Sequence, residues 1–423
     1  MKTLLFDHAS DGHHTHYDNT VIQGLLDANN ALELTFLTCP NHENTTSSYL
    51  EHLSITTYIP QRIQQILNYL PTRLKSMLIT LYVLVYARAH GFKRIHFLYV
   101  DCCVLALYLF FPLTLGLKLS GTLHRFPAQK SKSNMLTKLL KWNILQKLVV
   151  HGEYTKNRLV QFRADIANRV ESVLLPNLQK TDEISYSTNA HDLEIHTLIA
   201  QQLKAYKRPL LLAFGGLRHE KGIDLLLESL ANMEQEATLL IAGSESCFNK
   251  DDLLQILEQY KIRDKVFLDI RYIPNEQVDF YFNLSDIIVL PYRKSFLGQS
   301  GPLTEGVARS KLVVGPNHGE IGFTLQHFGI GLVYESEDVK ALAFQIDQAI
   351  LKLNSPEIRE NQTRYHKLVT VNAFKHKYSQ IILANTSNSK RNPPRIKNLA
   401  HLEVLYYMLY VEAITNLWLF GLL

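Results

Sequence analysis

The chain has 423 residues, 46% of them apolar and 20% charged, ordinary globular values that exclude collagen-like, disulfide-stapled and wholly disordered classes. At roughly 100–200 residues per domain, this length holds two domains or a small three. With 44 Lys and Arg against 39 Asp and Glu, the net charge of +5 is too small to argue for a nucleic-acid partner, and it fits a locally basic face toward an anionic ligand or a membrane.

The opening run Met1–Phe6 ends at Asp7, is too short for a signal-peptide core and reads as a first strand. Further strands are expected at Leu32–Leu37, Ile95–Val100, Leu119–Leu123, Leu148–Val150 and Val173–Leu175, after a first at Leu4–Phe6. Helices are expected between them at Thr20–Asn29, Pro71–His90, Cys103–Leu117 and Asn134–Gln146. This alternation predicts a parallel sheet covered on both faces. The uncharged stretch Cys102–Leu117 contains Pro112 and is shorter than a membrane span, so it is expected as a buried crossing helix. Cys39, Cys102, Cys103 and Cys247 are too scattered for a disulfide framework or a zinc site and fit a reducing compartment.

The polar stretch Gln179–Asp192 lacks a hydrophobic period and reads as an exposed linker. The alternation then restarts. Strands are expected at Leu210–Phe214, Thr238–Ala242, Val266–Leu268, Ile287–Leu290, Leu312–Val314 and Leu332–Tyr334. Helices are expected at Ile223–Ala231, Asp251–Tyr260, Asn275–Asn283, Leu303–Ser310 and Val339–Leu353. The pattern predicts an α/β protein of two Rossmann-like domains, residues 1–185 and 200–372, facing each other across a cleft, with ligands at the carboxyl ends of strands. Residues 373–423 remain for a crossover helix and an apolar tail. After the basic break Lys390–Arg395, the run Leu399–Leu423 is apolar except for His401, Glu403, Glu412 and a few neutral polar residues. Two acids make a transmembrane span expensive, so this tail is expected to dock on the protein body or on a membrane surface.

The sharpest segment runs from Phe214 to Asp224 (FGGLRHEKGID). A strand ends, glycines permit a tight turn, and a helix begins near Gly222; such turns leave N–H groups free for an anion. Arg218 and Lys221 add two cations, a fork and a compact charge, able to neutralise a diphosphate leaving group. Locally the same residues also fit a solvated turn. In the second segment the strand Ile287–Leu290 runs through a polar loop into Ser300-Gly301 and a helix carrying Glu305. Ser300 and Gly301 stand where phosphate oxygens can bind, and Glu305 can accept from two ribose hydroxyls. Equally, Ser300 can be a simple cap and Glu305 a first-turn acid favoured by the helix dipole.

In the first half, the loop Asp7–His14, with Gly12 and His13, occupies the first strand-to-helix turn and either touches acceptor or phosphate or is a solvated loop. His124 follows a strand, where its imidazole can hydrogen-bond a sugar hydroxyl or a developing charge, or serve structure alone. The segment Lys130–Lys147 carries lysines and no acid; it fits either a basic membrane-facing helix or a surface helix whose apolar stripe packs on the sheet. No Asp-x-Asp occurs, and the locally dense His13-His14-x-His16 lacks a spaced partner, so no metal or other cofactor is expected.

These segments resemble, in order and spacing, the retaining glycosyltransferases of family 4, which have the GT-B fold. The likeness extends over most of residues 110–350, through "GLRHEKGIDLLLESL", "TLLIAGS", "VFLDIRYIPNEQVDFYFNLSDIIVLPYR" and "GPLTEGVARSKLVVGPNHGEIG". In the first half "LSGTLHRF", "LVVHGEYTKNRL" and "VLLPN" continue it. The resemblance implies that Gly216, Arg218 and Lys221 hold donor phosphates and Glu305 the ribose. It places Tyr272 and Ile273, in the loop Arg271–Ile273, against the base, and His124 beside the sugar. It further implies a nucleotide-sugar donor, a glycan or lipid-linked acceptor, no metal, and a role in bacterial-type polysaccharide or glycolipid assembly in the cytoplasm or at the inner face of a membrane. One departure stands out: eight residues before Glu305, where many members carry an acid, this chain has Leu297, in a loop similar to the serine-glycine variant of one branch. Two other functions are compatible with the residues: a nucleotide-sugar epimerase of the same architecture, and a non-catalytic, membrane-associated assembly partner.

Overall fold

The computed structural model describes residues 2–8, 14–29, 31–39, 56–127, 129–177 and 190–384. They form two compact units, one of residues up to Val173 together with those from Phe374 onward, the other Leu174–Ala373.

In the first unit, β1 (Thr3–Phe6), β2 (Leu34–Thr38), β3 (Thr56–Tyr58), β4 (Arg94–Phe97), β5 (Lys118–Leu123), β6 (Leu145–Val150) and β7 (Val170–Ser172) form a seven-stranded sheet. Its order is β3-β2-β1-β4-β5-β6-β7 and every pair is parallel. The inner strand β1 is apolar after Thr3 because both faces are covered: Leu4, Leu5 and Phe6 are at most 1% exposed. Tyr17, Val21, Ile22 and Leu25 recur at helical spacing in the helix His14–Ala28 and are buried together.

Several elements differ from expectation. The helix expected at Cys103–Leu117 is broken into Val104–Leu109 and the 3₁₀ turn Phe111–Thr114; Pro112 cannot continue a helix, and Gly116 turns with φ +81°. The helix expected at Asn134–Gln146 is Lys130–Lys141, ending as Asn143 takes the left-handed conformation before β6. β4 stops at Phe97, with Val100 in a 3₁₀ turn, and the last strand is Val170–Ser172 rather than Val173–Leu175. Leu136, Leu139 and Leu140, the apolar stripe of the basic segment, are buried in the core with Trp142 packed against it. That stripe is thus taken up by packing.

In the second unit, β8 (Leu210–Phe214), β9 (Thr238–Gly243), β10 (Val266–Ile270), β11 (Ile287–Val289), β12 (Leu312–Pro316) and β13 (Gly331–Tyr334) form a six-stranded parallel sheet in the order β10-β9-β8-β11-β12-β13. The period-two alternation of a doubly covered sheet is explicit. Leu211, Leu239, Ile287, Val289 and Leu312 face one core cluster. Leu210, Leu212, Leu240, Ile288 and Val313 face the other. Helices at Ala190–Leu203, Gly319–Phe328 and Pro356–Leu368 complete the cover. The chain then enters the helix Val371–Leu383, which buries Phe374, Tyr378 and Ile382. The tail 399–423, most of the linker 179–192, and Gly12 and His13 lie outside the described residues.

In each sheet the strand order reverses beside the unit's first strand, between β1 and β4 and between β8 and β11. Crevices form at the carboxyl ends of strands at such a reversal.

Candidate functional site

The turn after β8 is built by two glycines with distinct jobs. Gly215 has φ +105°, and a Cβ there would sit 2.6 Å from the Lys221 Nζ. Its missing side chain therefore clears the place of an ammonium group. Gly222 has φ +61°, and a Cβ there would come within 2.1 Å of the Pro291 carbonyl oxygen, so it lets the turn close on the neighbouring loop. Lys221 Nζ donates to the Phe214 carbonyl at 3.3 Å and stands 5.7 Å from the centre of the Tyr292 ring. Arg218 pairs loosely with Glu220 at 3.3 Å. The N–H groups of Gly215, Leu217, Arg218, Lys221 and Gly222 are used internally. That of Gly216 has no partner among the described residues. The result is a small, partly enclosed recess whose lining includes Gly215, Gly216, Lys221, Pro291 and Tyr292, with an ammonium at its wall.

Arg293, on the loop after β11, braces this turn. Its Nη1 and Nη2 donate to the two carboxylate oxygens of Asp224 at 3.0 and 2.6 Å, and Nη1 also donates to the His219 carbonyl. Its backbone N–H donates to the Glu220 carbonyl at 2.9 Å. A guanidinium forked on a carboxylate fixes orientation as well as distance. Sequence reasoning passed over this pair, because its members are far apart in the chain and only the strand reversal brings their loops together.

The remaining residues expected at a donor divide. Ser300 caps the helix Gly301–Ala308, its Oγ accepting from Leu303 N–H at 3.4 Å with the Tyr292 hydroxyl also 3.4 Å away. Gly301 has open space where a Cβ would be. Glu305 is 8% exposed, and its Oε2 accepts from Arg309 Nη1 at 2.5 Å. Arg309 is in turn held by Asp279, its Nε donating at 2.9 Å. Arg309 and Asp279 were not anticipated, although the i, i+4 spacing of Glu305 and Arg309 on a helix is a signal for such a pair. Ile273 packs in the core at 8% exposure, while Tyr272 beside it is 69% exposed. Of the two, only Tyr272 offers a side chain to a flat partner. Hydrogen bonds hold this loop: Arg271 donates to Asp269, Gln277 and the Tyr281 hydroxyl, and Gln277 donates to Asp192.

In the first unit, His124 follows β5 and its ring stacks on Tyr99, centroids 3.5 Å apart. Its Nε2 lies 3.0 Å from the Leu98 carbonyl, which assigns the proton to that nitrogen. The Asp101 carboxylate accepts from the backbone N–H groups of His124 and Arg125 at 3.0 and 2.9 Å, and burial pushes its pKa up to about 6. Tyr99 stacks also on His14, whose Nδ1 is 2.7 Å from an oxygen of the buried Asp7. Asp18, fully buried beside Asp7, is pushed well above the usual carboxylate range by desolvation and by Asp7. The carboxyl ends of β1, β4 and β5 thus present imidazoles and a phenol in one ladder. His124 belongs to it.

Among the described residues, no group of three His, Cys, Asp or Glu side chains is placed to hold a metal ion, and no helix is long and apolar enough to cross a membrane.

Residues 194–368 match the family model described as glycosyl transferases group 1. That match covers most of the second unit. Solved structures share the whole two-unit plan. HepE from Anabaena, in complex with UDP, matches at a TM-score of 0.64 and 14% identity, over 91% of this chain and 100% of that one. Sucrose-phosphate synthase from Thermosynechococcus elongatus matches at 0.66 and 15%, over 90% of this chain and 98% of that one. WaaG, a glycosyltransferase involved in lipopolysaccharide biosynthesis, matches at 0.58 and 13%, over 92% and 100%. The fold is therefore GT-B. No curated protein matches the chain. The glycine turn, the Arg293 brace and the Ser300 cap all fall inside the matched residues.

Proposed function

We propose that the chain is a retaining, metal-independent glycosyltransferase that moves a sugar from a nucleotide-sugar donor to a glycan or lipid-linked acceptor. The observation that carries this reading is the ammonium of Lys221, set by Gly215 into a small recess at the strand reversal, within the residues that match the group 1 model. Charge develops on the diphosphate as the glycosidic bond breaks, and a cation fixed beforehand stabilises it without reorganising. Arg218 and the Gly216 N–H supply further donors at the same turn. The exposed Tyr272 takes the base, and Glu305, oriented by Arg309, takes the ribose. The acceptor belongs to the first unit, where His124 and the His14–Tyr99 stack offer hydroxyl-binding groups and a ring face. The leaving phosphate itself removes the acceptor proton, so no protein nucleophile is required. The absence of Asp-x-Asp in the sequence supports the metal-independent form. The likeness to WaaG, which is involved in lipopolysaccharide biosynthesis, supports an acceptor from polysaccharide or glycolipid assembly.

The test is product analysis with UDP- and GDP-sugars, with and without a lipid-linked or oligosaccharide acceptor and with a chelator present. The expected result is acceptor-dependent release of nucleoside diphosphate, unaffected by the chelator, with the anomeric configuration kept. An epimerised nucleotide-sugar formed without acceptor would instead establish the epimerase, and an inverted product would remove the retaining assignment.

A further inference from the structure

Cys102 and Cys103 stand beyond the carboxyl end of β4, in and just after the 3₁₀ turn Val100–Cys102. Adjacent side chains on a strand point to opposite faces. The turn undoes that divergence and brings both sulfurs to the Tyr99 carbonyl oxygen, at 3.5 Å for Cys102 and 3.8 Å for Cys103. The two Sγ atoms are 3.7 Å apart, within reach of an S–H hydrogen bond. Their surroundings differ. Cys103 is 1% exposed, whereas Cys102 is half-buried, with part of it at the surface. β1 runs beside β4, and the chain continues from it through Asp7 to His8. His8 faces the Cys102 sulfur, stacks on Phe6 with ring centroids 6.2 Å apart, and has its Nδ1 4.0 Å from an Asp7 oxygen.

We propose that Cys102 and Cys103 form a site of reversible oxidation by hydrogen peroxide, in which Cys102 is the attacking sulfur and Cys103 the resolving one. Only a thiolate is a good nucleophile. The Cys103 S–H, helped by His8, holds the Cys102 pKa well below the ordinary thiol range against the opposing effect of burial. The same hydrogen bond, together with burial, pushes Cys103 up, so its proton stays on. Burial works against charge on His8, yet the Cys102 sulfur and Asp7 hold its pKa above the ordinary value, with Lys75 acting the other way. The neighbours thus divide the two roles before any oxidant arrives. In the first step the Cys102 thiolate attacks a peroxide oxygen: an S–O bond forms, the O–O bond breaks, and the departing hydroxide takes the His8 proton and leaves as water. In the second, Cys103 attacks Cys102 Sγ: the S–S bond forms, the S–O bond breaks, and hydroxide leaves with the Cys103 proton as a second water. Two thiols are oxidised and one peroxide is reduced. Neighbouring Cα atoms are about 3.8 Å apart, closer than an unstrained disulfide needs, so the bond is readily reduced and the site resets. Asp101, one residue away, accepts from the His124 and Arg125 N–H groups. The oxidation state of the pair therefore bears on the turn that carries His124.

The experiment treats the full reduced chain with hydrogen peroxide at neutral pH and reads every cysteine by alkylation and peptide mass. Cys247, which is exposed, serves as the comparison inside the same chain. The pair is expected to lose its two thiol hydrogens about tenfold or more faster than Cys247 is oxidised, and dithiothreitol should restore both thiols. Cys103→Ala should stop the reaction at a Cys102 sulfenic acid, trapped by dimedone. Cys102→Ser should abolish both the disulfide and the dimedone adduct, with the melting temperature kept, since this side chain reaches the surface. It decides the assignment even if Cys103→Ala fails to fold. His8→Gln should slow the oxidation by about tenfold or more. Oxidation of Cys247 as fast as the pair, a product of the unaltered chain that holds no disulfide between the two, reaction at Cys103 in Cys102→Ser, or an unchanged rate in His8→Gln would each overturn the proposal.

Discussion

Gly215 and Lys221 share one small volume, since a methyl group on the first would sit 2.6 Å from the Nζ of the second. Gly215→Ala should therefore displace the ammonium and lower kcat/KM by about tenfold or more, in steady-state assays of nucleoside diphosphate release; an unaltered value would separate the glycine from the cation. Replacing Lys221 by Ala removes the charge outright and should cost about a hundredfold or more in kcat, with the melting temperature kept, since the side chain is only half-buried. A second residue-scale effect concerns pH. His96 is fully buried, with its Nδ1 2.9 Å from the Ser120 hydroxyl and its Nε2 2.6 Å from that of Tyr378, and burial depresses its pKa to about 3. Between that value and the unfolded value near 6.5, the unfolded chain binds the extra proton. Stability due to His96 is thus complete above pH about 6.5 and is lost as pH falls toward about 3, by roughly 2 kcal/mol on going from pH 6.5 to 5. Urea midpoints at pH 7.5 and 5 should show this loss, and His96→Gln should shrink it; an equal loss in the variant would place the acid sensitivity elsewhere.

At the scale of elements, the fork of Arg293 on Asp224 ties the loop after β11 to the start of the helix Ile223–Leu230. Both partners act on one loop arrangement. Arg293→Ala and Asp224→Ala should each lower kcat by about tenfold, and the double variant should be no worse than the weaker single one. Lys at 293 should not restore activity, because an ammonium cannot fork; additive losses would contradict the brace. This element also marks what was legible in the sequence. The strand Leu210–Phe214 was readable to the residue because a doubly covered strand is a continuous apolar run, and the turn after it because glycines and cations follow at once. The Arg293–Asp224 brace was not, since pairing across a sheet reversal leaves no local pattern. The helix Gly319–Phe328 opens on Asn317, His318 and Gly319 and contains Gly322, and so reads as a loop until its packing on β12 and β13 is seen. Cys103–Leu117 read as one helix because its apolar period survives Pro112, though its hydrogen bonds do not. Among site residues, Ile273 and Tyr272 were indistinguishable as neighbours in a loop; burial separates them.

For the whole molecule, the first unit is finished by the chain's return. Phe374 and Tyr378, each 1% exposed, pack with Tyr17 in the core of a unit whose other described residues end at Val173. Phe374→Ala should destabilise that unit by about 3–5 kcal/mol. Fluorescence of Trp142, read in a Trp418→Phe background, reports on it, because Trp142 packs against that unit's core. The second unit, monitored by its stabilisation with nucleoside diphosphate, should melt unchanged; a matching loss there would mean that the two units do not unfold separately. The function proposed for the molecule comes down to one event, capture of a diphosphate at the glycine turn of the second unit. Calorimetric titration of UDP and GDP into the unaltered chain and into Lys221→Ala tests it most directly. The account predicts saturable binding of one nucleotide to the unaltered chain, weakened about tenfold or more by the substitution. Equal affinity in both proteins, or heat from neither nucleotide, would contradict it.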